Sequence, residues 1–252
     1  MVQITGRPSN PRGPRLSDDF KLLEWDSEFF GFPVAKILGP APAKLERTLV
    51  ELRTRGVRLA YWTRAGLSGQ DLATLQAKGG ILVDQRTTLE RTLSPASAEP
   101  STNVTEYTGE SADAALISLA IQSGAYSRFR LDPKIPPGKF EELYSQWIRN
   151  SVNHRIADKV FVARDNDSIM GMITCKRHGE VGEIGLVAVN DEARGKGIGT
   201  DLVKFADSWF FGAGMKSSRV VTQGANQPAL QLYLKCGYHV TQTEPTLHFW
   251  LS

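Results

Sequence analysis

The sequence predicts a mixed α/β protein built in two parts, and three observations carry that reading. Short apolar, β-branched or aromatic runs alternate with amphipathic stretches of helical period along most of the 252 residues. A stretch rich in Pro, Ser and Ala without periodicity, Ser94 to Thr102, interrupts the alternation. A glycine-rich turn, Arg194-Gly-Lys-Gly-Ile-Gly199, stands between a strand-like and a helix-like segment. The expected division is a disordered tail at 1–16, a partial α/β domain at 17–95, a linker at 96–102 and a larger α/β domain with a mixed sheet at 103–252.

In the first part, Phe20 to Trp25 reads as a strand, and Phe29-Phe-Gly-Phe-Pro33 as an aromatic turn leading into the strand Val34 to Leu38. Leu45, Leu49 and Leu52 share one face of a helix over 42–55 that Gly56 stops. Val57 to Trp62 is the next strand. Ser68 caps a short helix carrying Leu72 and Leu75 and closed by Gly79-Gly80, and Ile81 to Val83 with Thr87 to Leu93 forms a strand pair.

The second part reads β-α-α-β-β-β-α-β-α-β-β. A strand over Val104 to Tyr107 precedes helices from Ser111 to Ser123 and from Lys139 to Val152. Two apolar runs, Lys159 to Arg164 and Ile169 to Lys176, flank Asp165-Asn-Asp-Ser168, which is the composition of a hairpin turn. Val181 to Val189 is a strand. From Gly197 an amphipathic helix carries Leu202, Phe205, Ala206 and Trp209 on one face. A strand at Ser218 to Gln223, a helix at Gln227 to Lys235 and two closing strands within Tyr238 to Leu251 complete the chain.

Composition narrows the function classes. Thirty Lys and Arg against 27 Asp and Glu leave a net charge of +3, too small to argue for nucleic acid or an anionic membrane as partner. Any anion site is therefore local. No run approaches the ~18 apolar residues of a membrane span. The first 16 residues mix three Arg with three Pro and lack an apolar core, so a cytoplasmic location is expected. Two cysteines, Cys175 and Cys236, lie in apolar segments and read as reduced and structural; four scattered histidines suggest no metal site.

The passage that carries chemistry is Gly182-Glu-Ile-Gly-Leu-Val-Ala-Val189 followed by Arg194 to Thr200. Glycines at a strand-to-helix junction let backbone approach a ligand and aim the unpaired amides of the first helical turn at it. Those amides and the helix dipole suit a pyrophosphate. Neither the Gly-Lys-Ser/Thr of a Walker loop nor the acidic residue that ends the next strand of a dinucleotide fold is present, the chain having Thr222-Gln223 there.

This loop resembles the acetyl-CoA pyrophosphate loop of the Gcn5-related N-acetyltransferase (GNAT) superfamily. Asn226-Gln-Pro-Ala-Leu-Gln-Leu-Tyr-Leu-Lys-Cys-Gly-Tyr238 is similar to the family's N-x-x-A-x-x-x-Y-x-x-x-G-F/Y helix and turn. The resemblance covers about 103–252 and implies the GNAT acyl-CoA N-acyltransferase fold, preceded by a partial GNAT-like domain. Trp25-Asp-Ser-Glu-Phe-Phe-Gly-Phe32, Ser127-Arg-Phe-Arg130 with Tyr144-Ser-Gln-Trp-Ile148, and Val221-Thr-Gln223 also resemble the branch that acetylates the 4-amino group of dTDP-fucosamine.

The resemblance implies direct attack of a primary amine on the thioester of acetyl-CoA, without a metal. It places the co-substrate along Leu186, Val187, Ala188 and Val189, on the loop Arg194, Gly195, Lys196, Gly197, Ile198, Gly199 and Thr200, and at Asn226. The strand should splay from its neighbour there, with the Val187 amide facing the developing oxyanion. Tyr233 matches the acid that protonates the thiolate. Two carboxylates compete as base: Glu183, which a regular strand puts on the side of Val187 and Val189, and Asp84. Arg128 and Arg130 are candidates for a nucleotide diphosphate, since guanidinium groups pair with phosphate oxygens. Gln223 and Phe30 complete the acceptor residues. The acceptor implied is a small-molecule amine, with a nucleotide sugar ahead of a peptide; a non-catalytic acetyl-CoA sensor is disfavoured by the retained Tyr233. Pairing into a homodimer stays open.

Overall fold

A computed structural model describes residues 19–39, 45–95 and 103–251. The tail at 1–16 and the linker at 96–102 lie outside the described residues. The chain forms two compact units, one running to Val83 and taking back the segment from Glu244, the other spanning Asp84–Thr243.

In the first unit β1 (Phe20–Leu22) pairs antiparallel with β2 (Val34–Ile37), which pairs parallel with β3 (Leu59–Thr63). The C-terminal part of the last strand of the chain, Thr246 to Trp250, lies antiparallel on β3. Between β1 and β2 comes a helix, α1 (Glu24–Phe30), where a strand and an aromatic turn are expected. The helix wins because Trp25 and Phe29, four apart, stack at 5.3 Å, because Ser27 bonds the Leu23 carbonyl at 2.7 Å, and because Gly31 at φ 76° closes the C-terminus.

Two further helices cover one face of this sheet. Leu45, Leu49 and Leu52 of α2 (Leu45–Thr54) and Leu75 of α3 (Gly69–Ala77) pack with Ala60, Trp62, Leu247 and Phe249. Ser68 caps α3 as expected, its hydroxyl accepting from the Asp71 amide at 3.1 Å while Asp71 accepts from the Ser68 amide.

The strand that leaves this unit, β4 (Gly80–Thr92), is one strand of 13 residues rather than a pair. Asp84-Gln-Arg86 breaks the apolar pattern but contains no Gly or Pro to turn the chain, so the backbone stays extended.

The second unit orders its strands β4, β9 (Ser217–Gln223), β8 (Val181–Val189), β7 (Ser168–His178), β6 (Lys159–Asp165) and β5 (Val104–Glu106). All neighbours are antiparallel except β8 and β9. Helices α4 (Ala114–Ser123) and α6 (Lys139–Val152) cover one face, packing Leu116, Leu119, Ile148 and Val152 against Val160, Val162, Met172 and Ala188. Helix α4 starts at Ala114 rather than at Ser111, and Asp113 caps it, accepting from Leu116 N–H at 2.8 Å.

Helices α7 (Ile198–Gly212) and α8 (Gln227–Lys235) cover the other face around Leu202, Ala206, Phe210, Val220 and Tyr233. Gly182 lets α7 sit close, since a Cβ there would stand 2.3 Å from the Phe210 ring. A four-residue helix, α5 (Arg128–Leu131), capped by Ser127, precedes α6 and is not legible in the sequence.

The end of the chain is one strand, β10 (His239–Trp250), where two are expected. Pro245 lies within it, since proline fits extended backbone and lacks only the donor. Among the described residues no helix is long and apolar enough to cross a membrane.

Candidate active site

Strands β8 and β9 begin as a parallel pair, and their register runs from Val181 opposite Ser217 to Ile184 opposite Val220. It stops there although β8 continues to Val189 and β9 to Gln223, so the strands part over their C-terminal halves. On the opposite edge of β8 the ladder with β7 shifts between Ile173 and Cys175. The extra residue is on β8, where Gly185 and Leu186 stand opposite the single residue Thr174, whose hydroxyl accepts the Leu186 amide at 2.8 Å. Only glycine fits beside it: a Cβ on Gly185 would be 2.7 Å from Thr174 Oγ1.

The bulge decides which amides are available. Leu186 N–H points toward β7, and so does Asn190 N–H, which donates to Met170 O at 2.8 Å. Backbone groups alternate along a strand, so Val187 and Val189 turn their N–H and C=O groups away from β7, into the opening. Of the expected backbone partners, Leu186 and, by the same alternation, Ala188 are therefore occupied within the sheet. Val187 and Val189 face the opening.

The loop that follows fits an anionic group. Asn190 caps a short 3-10 turn at Asp191–Ala193, and Gly195 and Gly197 take φ of 78° and 86°. Gly197 is the N-cap of α7 and carries no side-chain cap bond, so the first-turn amides of Ile198, Gly199 and Thr200 keep their capacity for an acceptor from outside. Gly199 has a different reason: a Cβ there would meet Leu232 of α8 at 3.2 Å. Arg194 pairs with Asp191 at 2.7 Å on the surface, and Lys196 is exposed.

On α8, Asn226 is the N-cap, its side chain accepting from Ala229 N–H at 3.2 Å. Tyr233 lies seven residues on, 4% exposed, in the cluster against which Val187 and Val189 pack. Burial pushes its phenol well above the ordinary value, so it stays protonated at neutral pH.

The carboxylates separate. Glu183 stands on the face away from Val187 and Val189, because the bulge inverts the parity that a regular strand would keep: Gly182 and Ile184 meet the α7 side, whereas beyond the bulge Leu186 and Ala188 meet the α4 side. Its Oε1 lies 4.0 Å from Arg219 Nη1 and 4.0 Å from His178 Nδ1, and Arg219 is held by Glu90 at 2.6 Å. Along the strand Glu183 is roughly 10–13 Å from Val187.

Asp84 occupies the splayed end. Arg86 pairs with Gln223, the β9 residue level with Val187 when the β8–β9 register is extended, and Asp84 is two residues further along. Burial raises its carboxyl to about 6, against the pull of the Arg128 guanidinium and the Gln85 amide. Burial pushes the phenol of Tyr144, on α6, up, against the pull of Ser127 and Arg128 and with the Asp84 carboxylate adding to the rise. Asp84 shares a face with Glu90 and Arg219, the side of α4, α5 and α6.

Arg128 and Arg130, two apart on α5, diverge. Arg128 is half-buried over the Phe129 ring at 4.4 Å, and Arg130 is exposed over Phe140 at 5.5 Å. Gln223 ends β9, its carbonyl receiving Asn226 N–H at 2.9 Å. Phe30 belongs to the first unit, is 6% exposed, and has its ring 4.9 Å from that of Phe29 and 5.7 Å from that of Phe32. Sequence reasoning missed Thr174: a threonine in an apolar strand carries no local signal, and only the register shift gives its hydroxyl a task. No group of three or more His, Cys, Asp or Glu among the described residues is arranged to hold a metal.

The candidate residues therefore lie on two faces of the sheet: Tyr233 and the glycine loop on the α7/α8 side, Asp84 and Arg128 on the α4/α5 side, with the opening between β8 and β9 between them. Residues 125–238 match the acetyltransferase (GNAT) family. The chain is 28% identical over 242 residues to the dTDP-fucosamine acetyltransferase of Escherichia coli O6:H1, covering 91% of this chain and 95% of that protein. It is 27% identical over 143 residues to the spore coat polysaccharide biosynthesis protein SpsD of Bacillus subtilis, covering 54% of this chain and 47% of that one. A GCN5-related N-acetyltransferase from Sphaerobacter thermophilus shares the fold with a TM-score of 0.60 and 17% identity, over 92% of this chain and 76% of its own. The chain carries a GNAT acetyltransferase domain and is an acetyl-CoA-dependent N-acetyltransferase.

Proposed function

We propose that the acceptor is the primary amine of a nucleotide-linked amino-deoxysugar, in the first place the 4-amino group of a dTDP-sugar. The observation that carries this reading is Asp84: a half-buried carboxylate raised to about 6, beside Arg128, on the face opposite Tyr233 and at the level where β8 and β9 part. A base of that strength deprotonates an ammonium acceptor near neutral pH, while the neighbouring guanidinium suits a phosphate oxygen. The relatives named above support the sugar class, since one is a dTDP-fucosamine acetyltransferase and the other a polysaccharide biosynthesis protein.

Acetyl-CoA supplies an activated acyl group and a thiolate leaving group. The loop Gly195 to Thr200 holds its pyrophosphate by backbone amides, and the edge of β8 at Val187 and Val189 holds its pantetheine amides. Val187 N–H donates to the carbonyl oxygen as negative charge develops there. Asp84 takes the ammonium proton, directly or through one water, its side chain being short; the free amine then forms the N–C bond to the thioester carbon, and collapse of the adduct breaks the C–S bond and gives the second N–H proton to solvent. Tyr233 delivers a proton to the sulfur; the phenol is the weaker acid, so transfer follows the growth of thiolate charge. Glu183, held toward Arg219, is outside this chemistry.

Release of free CoA on adding a dTDP-4-amino-4,6-dideoxy sugar, a panel of basic peptides, or no acceptor tests the assignment. Turnover with the sugar alone supports it. Turnover with peptides, or acetyl-CoA binding without turnover on either, overturns it.

A further inference from the structure

Asp207 of α7 is wholly buried, and none of the steps above uses it. One carboxylate oxygen accepts from Arg91 Nη1 at 2.8 Å and the other from the Tyr238 hydroxyl at 2.6 Å. Ser218 Oγ lies 2.5 Å from the same Tyr238 oxygen. The phenol has one proton and gives it to Asp207, so Ser218 is the donor in that contact. These four polar side chains come from β4, α7, β9 and the turn after α8, and all lie in the second unit.

The network surrounds the end of α8. Tyr238 N–H donates to the Tyr233 carbonyl at 3.0 Å, and the two rings pack at 5.7 Å with 56° between their planes. Gly237, at φ 84°, makes the turn against Arg91, whose Nε would be 3.5 Å from a Cβ there. Burying a carboxylate among apolar side chains is costly, and a well-packed apolar substitute is often as stable. Desolvation is the largest influence on Asp207, raising its carboxyl even with Arg91 and Tyr238 as partners.

We propose that Asp207 and Tyr238 are positioning residues for Tyr233, fixing the C-terminal turn of α8 so that the Tyr233 phenol is held at the opening between β8 and β9. The proposal rests on the reading of Tyr233 as the thiolate acid. A tyrosine on the last turn of a nine-residue helix sways with that helix unless its end is tied down. The Tyr238 hydroxyl ties it to α7, whose N-terminus carries the glycine loop, so sulfur acid and pyrophosphate site are referred to one helix.

A double-mutant cycle decides it. Tyr238→Phe keeps the ring and removes one oxygen; the expected result is a kcat lower by ~10-fold with the KM for acetyl-CoA within about 2-fold. In a Tyr233→Phe background the same change should cost under about 2-fold, because it acts through a hydroxyl already absent. Asp207→Asn should follow Tyr238→Phe, and where that variant does not fold, Tyr238→Phe carries the test alone. Wild-type kcat in Tyr238→Phe, or equal losses in both backgrounds, overturns the proposal. Wild-type kcat in Tyr233→Phe by itself instead removes the acid on which it rests, and that single variant keeps the two failures apart.

Discussion

The hydroxyl of Thr174 accepts the amide hydrogen of Leu186 at 2.8 Å, across a gap in the β7–β8 ladder that glycine at 185 leaves open. The bond replaces a missing backbone acceptor and sets the strand so that the next amide, Val187, faces the opening.

Removing that acceptor leaves a partly buried N–H unsatisfied, which costs about 1–3 kcal/mol. Thr174→Val, similar in shape, should therefore lower kcat by ~10-fold or more and reduce thermal stability, while Thr174→Ser keeps both near wild type. Steady-state kinetics alongside thermal melts check this, and equal kinetics for the Val and Ser variants would detach the hydroxyl from the oxyanion site.

Asp84 raised to about 6 predicts an acidic limb in the pH profile of kcat/KM, because the base works only when ionised. Activity should rise through pH 6 and level off above it. Asp84→Asn should abolish the limb and most of the rate, whereas Glu183→Gln should retain the limb with near wild-type kcat. Loss of the limb in Glu183→Gln instead would reassign the base.

The same shift has a consequence for stability. A folded value above the unfolded 3.8 means the folded state binds more protons between pH 4 and 6, so the Asp84 contribution falls as pH rises through that window. At pH 7 the ionised, partly desolvated carboxylate is a net cost. Asp84→Asn should then be more stable by roughly 1 kcal/mol, after discounting for solvent screening. Chemical denaturation at pH 4 and pH 7 measures it: a stabilisation at pH 7 that shrinks toward pH 4 is the expected pattern.

Tyr233→Phe should lower kcat by ~100-fold or more while the Kd for acetyl-CoA stays within about 2-fold, since the hydroxyl acts on the leaving sulfur and not on binding. Calorimetry with acetyl-CoA beside single-turnover kinetics separates the two quantities. A variant turning over at the wild-type rate removes Tyr233 from the mechanism.

Gly195 and Gly197 hold φ of 78° and 86°, where an L side chain costs roughly 1–2 kcal/mol. Gly197→Ala should raise the KM for acetyl-CoA by ~10-fold or more, with a smaller change in kcat at saturation, because it distorts a binding amide rather than the reacting centre. Gly212→Ala, at the last residue of α7 with open space around it, is the control and should leave both near wild type.

The sequence by itself determined what local chemistry encodes. The helix Gln227–Lys235 has the predicted bounds, the hairpin around Asn166-Asp167 is where Asp and Asn cluster, and the strand, glycine turn and helix from Val181 to Gly212 follow from apolar period and positive-φ glycines. Tertiary structure decided the rest, because it depends on groups distant in the chain. The bulge at Gly185 and Leu186, opposite Thr174, reverses the face that a regular strand gives Glu183. The run Asp84-Gln-Arg86, which reads as a break, stays extended and carries the raised carboxylate, for its partner Arg128 is 44 residues away. Arg91 and Asp207, 116 residues apart, meet only after β4 and α7 have packed. Local pattern specifies which backbone conformation each segment prefers; only packing sets register, and register determines which side chain reaches the opening between β8 and β9.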